Sequence, residues 1–429
     1  ESFPGQFRNW FYSLLAMATV IDGTPPFMEN FGYASLLAED GRPMHKSWGN
    51  AIEFNEAADR IGVDVMRWLY VTHRPENDLL FGYHRGDEVR REFLIPLWNV
   101  YSFFVTYARL DGWMPSAEGF DPDYPEGPAP QSDNLLDRWV LGRLDQVVAL
   151  VEKGVDASDF ASAALAVNAF LDDLTNWFVR RSRRRFWKSE ADADKNAAYA
   201  TLYYVLVKLA RTLAPFTPFV TEVMYQNLVR GVYPDAHESI HHTLWPRADA
   251  ALQDDSLLEQ MALARRVASL GLSARSGANL KVRQPLSKVL VYAGQAVLRP
   301  ELVEIVVDEL NVKEFEFVAE EGRLVNYKVL PDNKLLGPRF GARFPHLRQA
   351  LSAADPAKVA AAARAGMPYP LELEGETVEL SPAEVLVSTE PAPGLAVAAD
   401  KYTTVAIDAA LTPELRLEGL ARELVRRIQ

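Results

Sequence analysis

Apolar residues recur at helical three-and-four spacing along this chain to about Ser273, and then give way to short alternating runs. Phe7, Trp10, Phe11, Leu14, Leu15 and Met17 fit one buried helix over residues 1–22, which Thr24-Pro25-Pro26 breaks. Residues 31–37 read as a strand, and Glu39-Asp40-Gly41 as a turn. Residues 55–70 read as a helix with Ala57, Ile61, Val65 and Leu69 on one face. Long helices follow over 89–110 (kinked at Pro96), 135–153, 158–186, 194–213 and 218–228. Asp133, Ser158 or Asp159, and Asp194 are the expected N-caps, and the Pro- and Gly-rich stretch 114–132 is a connection. Long helices with short connections read as an antiparallel bundle. Beyond a helix over 257–273, strands are expected at 288–292, 315–318, 371–373, 377–380 and 403–407, with a hairpin at Glu374-Gly375-Glu376. Helices at 299–310, 345–351 and 356–365 separate them.

This pattern describes a multidomain, predominantly α protein: an α/β piece over 1–87, a helix bundle over 88–250, and a small α+β domain over 251–429. The length of 429 residues agrees, being more than one core usually organises. The chain has no cysteine, which excludes disulfides and thiolate-bound zinc within it. Its seven histidines show no metal-binding spacing, so no metal site is read here. No apolar run reaches the ~18 residues of a membrane helix, and no secretion signal is visible. Glu1 in place of a start methionine, and an amphipathic helix over 418–429 without a capping glycine, suggest part of a longer protein. A net charge of −13 argues mildly against nucleic acid. Against that average stands one dense basic block, Arg180-Arg181-Ser182-Arg183-Arg184-Arg185, which can hold phosphate locally.

The candidate chemistry begins at Gly41-Arg42-Pro43-Met44-His45-Lys46-Ser47-Trp48-Gly49-Asn50. Pro43 pins this loop, and Gly41 and Gly49 free its ends. It offers one cation, Lys46, with His45 and Ser47 as hydrogen-bonding groups, which suits an anion held only during a reaction. The loop resembles the KMSKS signature of class I aminoacyl-tRNA synthetases: Met44, Lys46, Ser47, Gly49 and Asn50 match, while Pro43, His45 and Trp48 depart. Gly5-Gln6-Phe7-Arg8-Asn9-Trp10-Phe11 resembles the segment before that loop in the isoleucyl-tRNA synthetases, with Asn9 in place of a glycine. Gly62-Val63-Asp64-Val65-Met66-Arg67 resembles the segment after it. Leu136-Asp137-Arg138-Trp139, Asn176-Trp177 and Ser182-Arg183-Arg184-Arg185-Phe186-Trp187 resemble that family's anticodon-binding bundle, and Lys281-Val282-Arg283-Gln284-Pro285-Leu286 a segment beyond it.

The resemblance implies the end of a Rossmann-type catalytic domain, then the anticodon-binding bundle, then an α+β domain, in a cytoplasmic enzyme. It implies ATP, with Mg2+, and isoleucine as reactants of the full-length enzyme, and an isoleucine-accepting tRNA as partner. Lys46, Ser47 and His45 would serve catalysis, Gln6 the adenylate and Trp10 the isoleucine pocket. Arg180, Arg181, Arg183, Arg184, Arg185, Trp187, Lys281 and Arg283 would contact tRNA. The family's His-Ile-Gly-His signature and editing domain do not occur in this sequence, so the chain alone is expected to be inactive. Plainer readings stand beside these. Lys46 can be a solvated loop lysine, and Trp10 and Phe11 plain core. Asp64 and Arg67 can pair on one helix face. Trp177 and Trp187 can be bundle anchors, the arginines a solvated face, and Lys281 and Arg283 strand-edge charges. A stand-alone RNA-binding module, or the valyl or leucyl relative, remain the alternatives.

Overall fold

The computed structural model describes residues 5–190 and 192–428, the Arg426 side chain excepted. The first residues of the helix expected over 1–22, and Gln429, lie outside these. The chain forms two units, Glu1–Leu258 and Glu259–Gln429.

In the first unit α1 (Trp10–Asp22) ends at Gly23, whose positive φ of 67° lets its amide return to the Thr19 carbonyl. The apolar spacing predicts a buried helix, but none of its residues is buried. Leu36–Ala38 forms β1. The expected helix over 55–70 is broken at Gly62 (φ 92°) into α2 (Phe54–Arg60) and α3 (Val63–Val71). The face read from spacing nevertheless holds: Ala57, Ile61, Val65 and Leu69 are buried with Met66 and Phe81, and Met44 and Ile52 pack on them. Leu79–Phe81 forms β2, parallel to β1. A continuous rod follows, α4 (Tyr83–Val89), a wide π turn at Arg90–Leu94, and α5 (Ile95–Asp111). Pro96 has no amide to give to the preceding turn, which is where the helix widens.

The bundle adds α6 (Leu135–Asp156), α7 (Phe160–Asp172), α8 (Arg180–Trp187), α9 (Ala193–Leu213) and α10 (Pro218–Tyr225). A π segment at Asp173–Val179 joins α7 to α8, so the predicted rod over 158–186 is one helix with a wide middle. Two caps move: Asn134, not Asp133, accepts the Leu136 amide, and Asp192, not Asp194, accepts the Lys195 amide. Leu202, Val205, Leu206 and Leu209 of α9 and Leu144 and Val148 of α6 are fully buried. α6 approaches α7 closely at Gly154, where a Cβ would lie 2.9 Å from that of Ala163.

α11 (Asp255–Gly277) begins in the last residues of the first unit, and in the second unit it leads to β3 (Leu286–Tyr292), α12 (Pro300–Leu310) and β4 (Val312–Phe317), which runs parallel to β3. An insertion carries β5 (Val325–Pro331), α13 (Asn333–Phe340), α14 (Phe344–Ala353), α15 (Pro356–Arg364), β6 (Tyr369–Leu373), β7 (Glu376–Leu380) and β8 (Val385–Pro391). β5 pairs with β8, and β6 with β7, around a core of Leu336, Leu347, Leu351, Val359, Leu371 and Leu380. The predicted hairpin is present, with Glu374 (φ 54°) and Gly375 (φ 87°) both left-handed as a tight two-residue turn requires. β9 (Leu395–Ala399) and β10 (Thr404–Asp408) complete the sheet order β4-β3-β10-β9, and α16 (Pro413–Ile428) closes the chain.

Candidate active-site loop and nucleic-acid interface

Residues 38–50 are held in shape by short-range bonds. The Ala38 amide donates to the Arg42 carbonyl (2.9 Å), and Asp40 accepts from the Arg42 amide (3.1 Å) and Nε (2.7 Å). Asn50 then staples the loop across its base: its Oδ1 accepts the His45 amide and its Nδ2 donates to the Pro43 carbonyl, both at 2.9 Å. Met44 turns inward onto the α2–α3 core. Lys46–Trp48 make one 3₁₀ turn that ends at Gly49 (φ 70°). The His45 ring meets Trp48 edge-on, with centroids 4.3 Å apart. Lys46 and Ser47 are exposed, with no side-chain partner among the described residues. The loop therefore offers a cation and a hydroxyl on a preformed frame, and Asn50, which the sequence showed only as a match to the signature, is the framing residue.

Gln6 lies in the turn before α1, and Trp10 is the first residue of that helix. Trp10 is exposed, so it is not core, and among the described residues no hydrogen bond or ring contact joins either residue to the loop. Phe11 stacks obliquely on Phe27 at 5.1 Å. An apolar groove of about 730 Å³ opens instead between Phe31, Tyr33, Leu36, Tyr70, His73 and Phe160, and none of the predicted site residues lines it.

Asp64 and Arg67 do not bond to each other. Asp64 accepts the amides of Phe219 (3.2 Å) and Val220 (2.6 Å), which open α10, while Arg67 donates to the carbonyls of Pro215 (2.7 Å) and Phe216 (2.8 Å). One side chain serves donors and the next serves acceptors of the same turn. Burial raises the Asp64 carboxyl above its ordinary value, against the amides and the Arg67 charge.

α8 separates its arginines. Arg183 and Arg184 are exposed and have no ion pair among the described residues. Arg180 donates to the Asn176 carbonyl (2.8 Å), and Arg180 and Arg181 lie over the Trp177 ring at 5.9 and 5.6 Å. Trp177 is buried and anchors the bundle, whereas Trp187 is 55% exposed and does not. Arg185 turns inward. Its guanidinium grips both Asp137 oxygens (2.6 and 2.7 Å), the Asp194 carboxylate (2.8 Å) and the Asp194 carbonyl (2.9 Å). Burial opposes its charge, but Asp137 and Asp194 outweigh that and raise its pKa. Burial would likewise raise Asp194, yet Arg185, Lys188 and Asn134 hold it below its ordinary value. Arg185 is thus a structural arginine, a correction to its grouping with the RNA-facing ones.

Lys281 and Arg283 stand exposed on the turn before β3, off the strand edge where a plain reading put them. Arg283 has the Glu423 carboxylate at 3.8 Å. Among the described residues no group of three His, Cys, Asp or Glu is placed to hold a metal ion, and no helix is long and apolar enough to cross a membrane.

Residues 4–81 match the family described as tRNA synthetases class I (I, L, M and V), and residues 137–290 match the anticodon-binding domain of tRNA ligase. The isoleucine–tRNA ligase of Thermus thermophilus is 41% identical over 443 residues, covering 100% of this chain and 41% of the relative. That of Thermobifida fusca is 40% identical over 440 residues, with the same coverage. A solved ternary complex of the Agrobacterium radiobacter K84 LeuRS with tRNA and LeuAMS is 15% identical, with a TM-score of 0.42 over 69% of this chain and 31% of the other, too low to carry weight. The chain spans about two fifths of the length of the curated relatives it matches. Both family matches lie in order along the chain, and the similarity to isoleucine–tRNA ligases runs over its whole length.

Proposed function

We propose that this chain is the signature-loop and anticodon-binding part of a cytoplasmic isoleucine–tRNA ligase. Residues 1–87 are the end of its Rossmann-type catalytic domain, 88–250 the anticodon-binding bundle and 251–429 an α+β domain. The end-to-end similarity to isoleucine–tRNA ligases carries this reading.

In the full enzyme the isoleucine carboxylate attacks the ATP α-phosphate and pyrophosphate leaves. Negative charge grows on the leaving group, and a cation on a preformed loop meets it more strongly in the transition state than before. Lys46 is that cation, with the Ser47 hydroxyl and the His45 ring as further donors. Pro43, where the family signature has its first lysine, removes one charge and stiffens the loop. Mg2+ would screen the phosphates when bound with ATP, and among the described residues no group of three His, Cys, Asp or Glu is placed to hold it. Gln6 would contact the adenylate and Trp10 the isoleucine side chain, with the rest of the catalytic domain bringing them to the loop. Arg180, Arg181, Arg183 and Arg184 with the exposed Trp187 suit phosphates and unstacked bases of a tRNA, and Lys281 and Arg283 suit phosphates.

The test is binding of this chain to isoleucine-accepting tRNA and to a copy with an altered anticodon, across a salt series. Tighter binding of the native anticodon is expected, along with no pyrophosphate exchange by the chain alone. Equal binding of the two tRNAs would remove anticodon recognition from it, and exchange activity would show that it holds a complete active site.

A further inference from the structure

Arg275, near the end of α11, is fully buried and has no carboxylate partner among the described residues. One terminal nitrogen donates to the carbonyls of Lys281 (2.9 Å) and Gln284 (3.0 Å), the other to that of Asn311 (3.0 Å), and Nε has no partner among the described residues. Burial lowers its pKa to about 10. A buried cation without a counter-charge is unusual, because desolvation is offset only by strong local partners. Here the partners are backbone carbonyls, two from the 281–284 turn and one from Asn311 at the end of α12.

That turn is clamped from other directions too. Asn311, left-handed at φ 48°, donates from Nδ2 to the Val282 carbonyl (2.9 Å). The Gln284 amide donates to the Lys281 carbonyl (3.0 Å), and its side chain donates to the Leu415 carbonyl (2.6 Å) at the start of α16. Gly419 allows this approach, since a Cβ there would lie 2.3 Å from the Gln284 side chain. The carbonyls of Lys281, Val282 and Gln284 are therefore all drawn inward. What the turn presents outward is the Lys281 and Arg283 side chains, with Glu423 as the one acid within 4 Å among the described residues. Its exposed chemistry is cationic, and the buried charge behind it is unneutralised, so the knuckle favours an anion.

We propose that Arg275 is a positioning residue that gathers the carbonyls of the 281–284 turn so that Lys281 and Arg283 form a contact for RNA phosphates. This rests on the tRNA-binding reading above and deepens it. Phosphate contacts carry no sequence information, so cognate and non-cognate tRNA should use the knuckle alike.

The experiment measures Kd of the full chain for isoleucine-accepting and valine-accepting tRNA transcripts between 50 and 200 mM KCl. Lys281→Ala with Arg283→Ala should flatten the log–log salt slope by about 1.4 to 1.8, two phosphate contacts' worth. Arg275→Met keeps both cations and should survive folding, because the Lys281 and Asn311 carbonyls each retain an amide donor. It should nevertheless flatten the slope by the same amount with both tRNAs, and change nothing further when added to the double variant. Melting temperature and circular dichroism monitor the fold. A wild-type slope in Arg275→Met, or an additive loss on the double variant, overturns the proposal. Should Arg275→Met not fold, Asn311→Gly keeps the left-handed backbone, frees the Val282 carbonyl and the Arg422 guanidinium, and is expected to lose part of the slope; an unchanged slope there overturns it as well. If Lys281→Ala with Arg283→Ala binds like wild type while Arg183→Ala with Arg184→Ala binds weakly, the knuckle is refuted and the tRNA reading stands.

Discussion

Asn50 shows how one side chain can set a loop without taking part in its chemistry. Its amide closes the ring from Pro43 to Asn50 with a donor and an acceptor that no charged residue of similar size supplies at once. Asn50→Ala should leave the core intact, because Met44 still anchors the loop. The His45 amide would lose its acceptor, and its hydrogen exchange should quicken by roughly fivefold, the equivalent of about 1 kcal/mol for one bond. Exchange at the wild-type rate would mean that Asn50 does not hold the loop. Much at this scale was legible only as residue types. Lys46, Ser47 and the arginines stood out by spacing and charge. The inward turn of Arg185 did not, since its partner Asp137 is 48 positions away. The split loyalties of Asp64 and Arg67 were hidden for the same reason: their partners lie about 150 residues downstream.

Between elements, ion pairs at helix ends decide how the bundle closes. Asp111, the last residue of α5, accepts from Lys195 (2.6 Å) and from the Tyr199 hydroxyl (2.5 Å) of α9. The Lys195 and Tyr199 hydrogen bonds hold its carboxyl below the ordinary 3.8. A lowered folded pKa contributes stability that is present above the unfolded value and lost as pH falls through the folded one. Asp111→Asn should therefore be less stable than wild type by about 1–2 kcal/mol at pH 6, where it leaves the buried Lys195 without its counter-charge. Below pH 3.8 the difference should shrink as wild-type Asp111 protonates. Urea unfolding at pH 6 and pH 3 measures this, and a difference equal at both would contradict it. Elements with strong periodicity were legible, α9 almost to the residue. β5, β8 and β9 were not. β8 sets Val385, Val387 and Thr389 on one face but buries only Val385, and β9 reads Leu-Ala-Val-Ala-Ala, so neither shows a clean alternation of apolar and polar residues, and pairing completes them.

Across the whole molecule stability is uneven, and α1 is its weak end. The amphipathic spacing of residues 7–17 states which surface a helix can bury, not whether a neighbour covers it, and here Trp10, Met17, Val20 and Ile21 are all exposed. A 13-residue helix without tertiary cover is marginal in water. α9, by contrast, buries every residue from Leu202 to Leu213 and should be among the last segments to open. Amides of α1 should exchange close to the unprotected rate while those of Val205 to Leu209 exchange only with unfolding. The sharper test is deletion of residues 1–24. With no buried side chain lost from α1, the melting transition of the bundle should move by less than about 2 °C, as expected for a change of a few tenths of a kcal/mol. A drop of 5 °C or more would show that α1 packs on the bundle in solution and that its exposed apolar face is covered there.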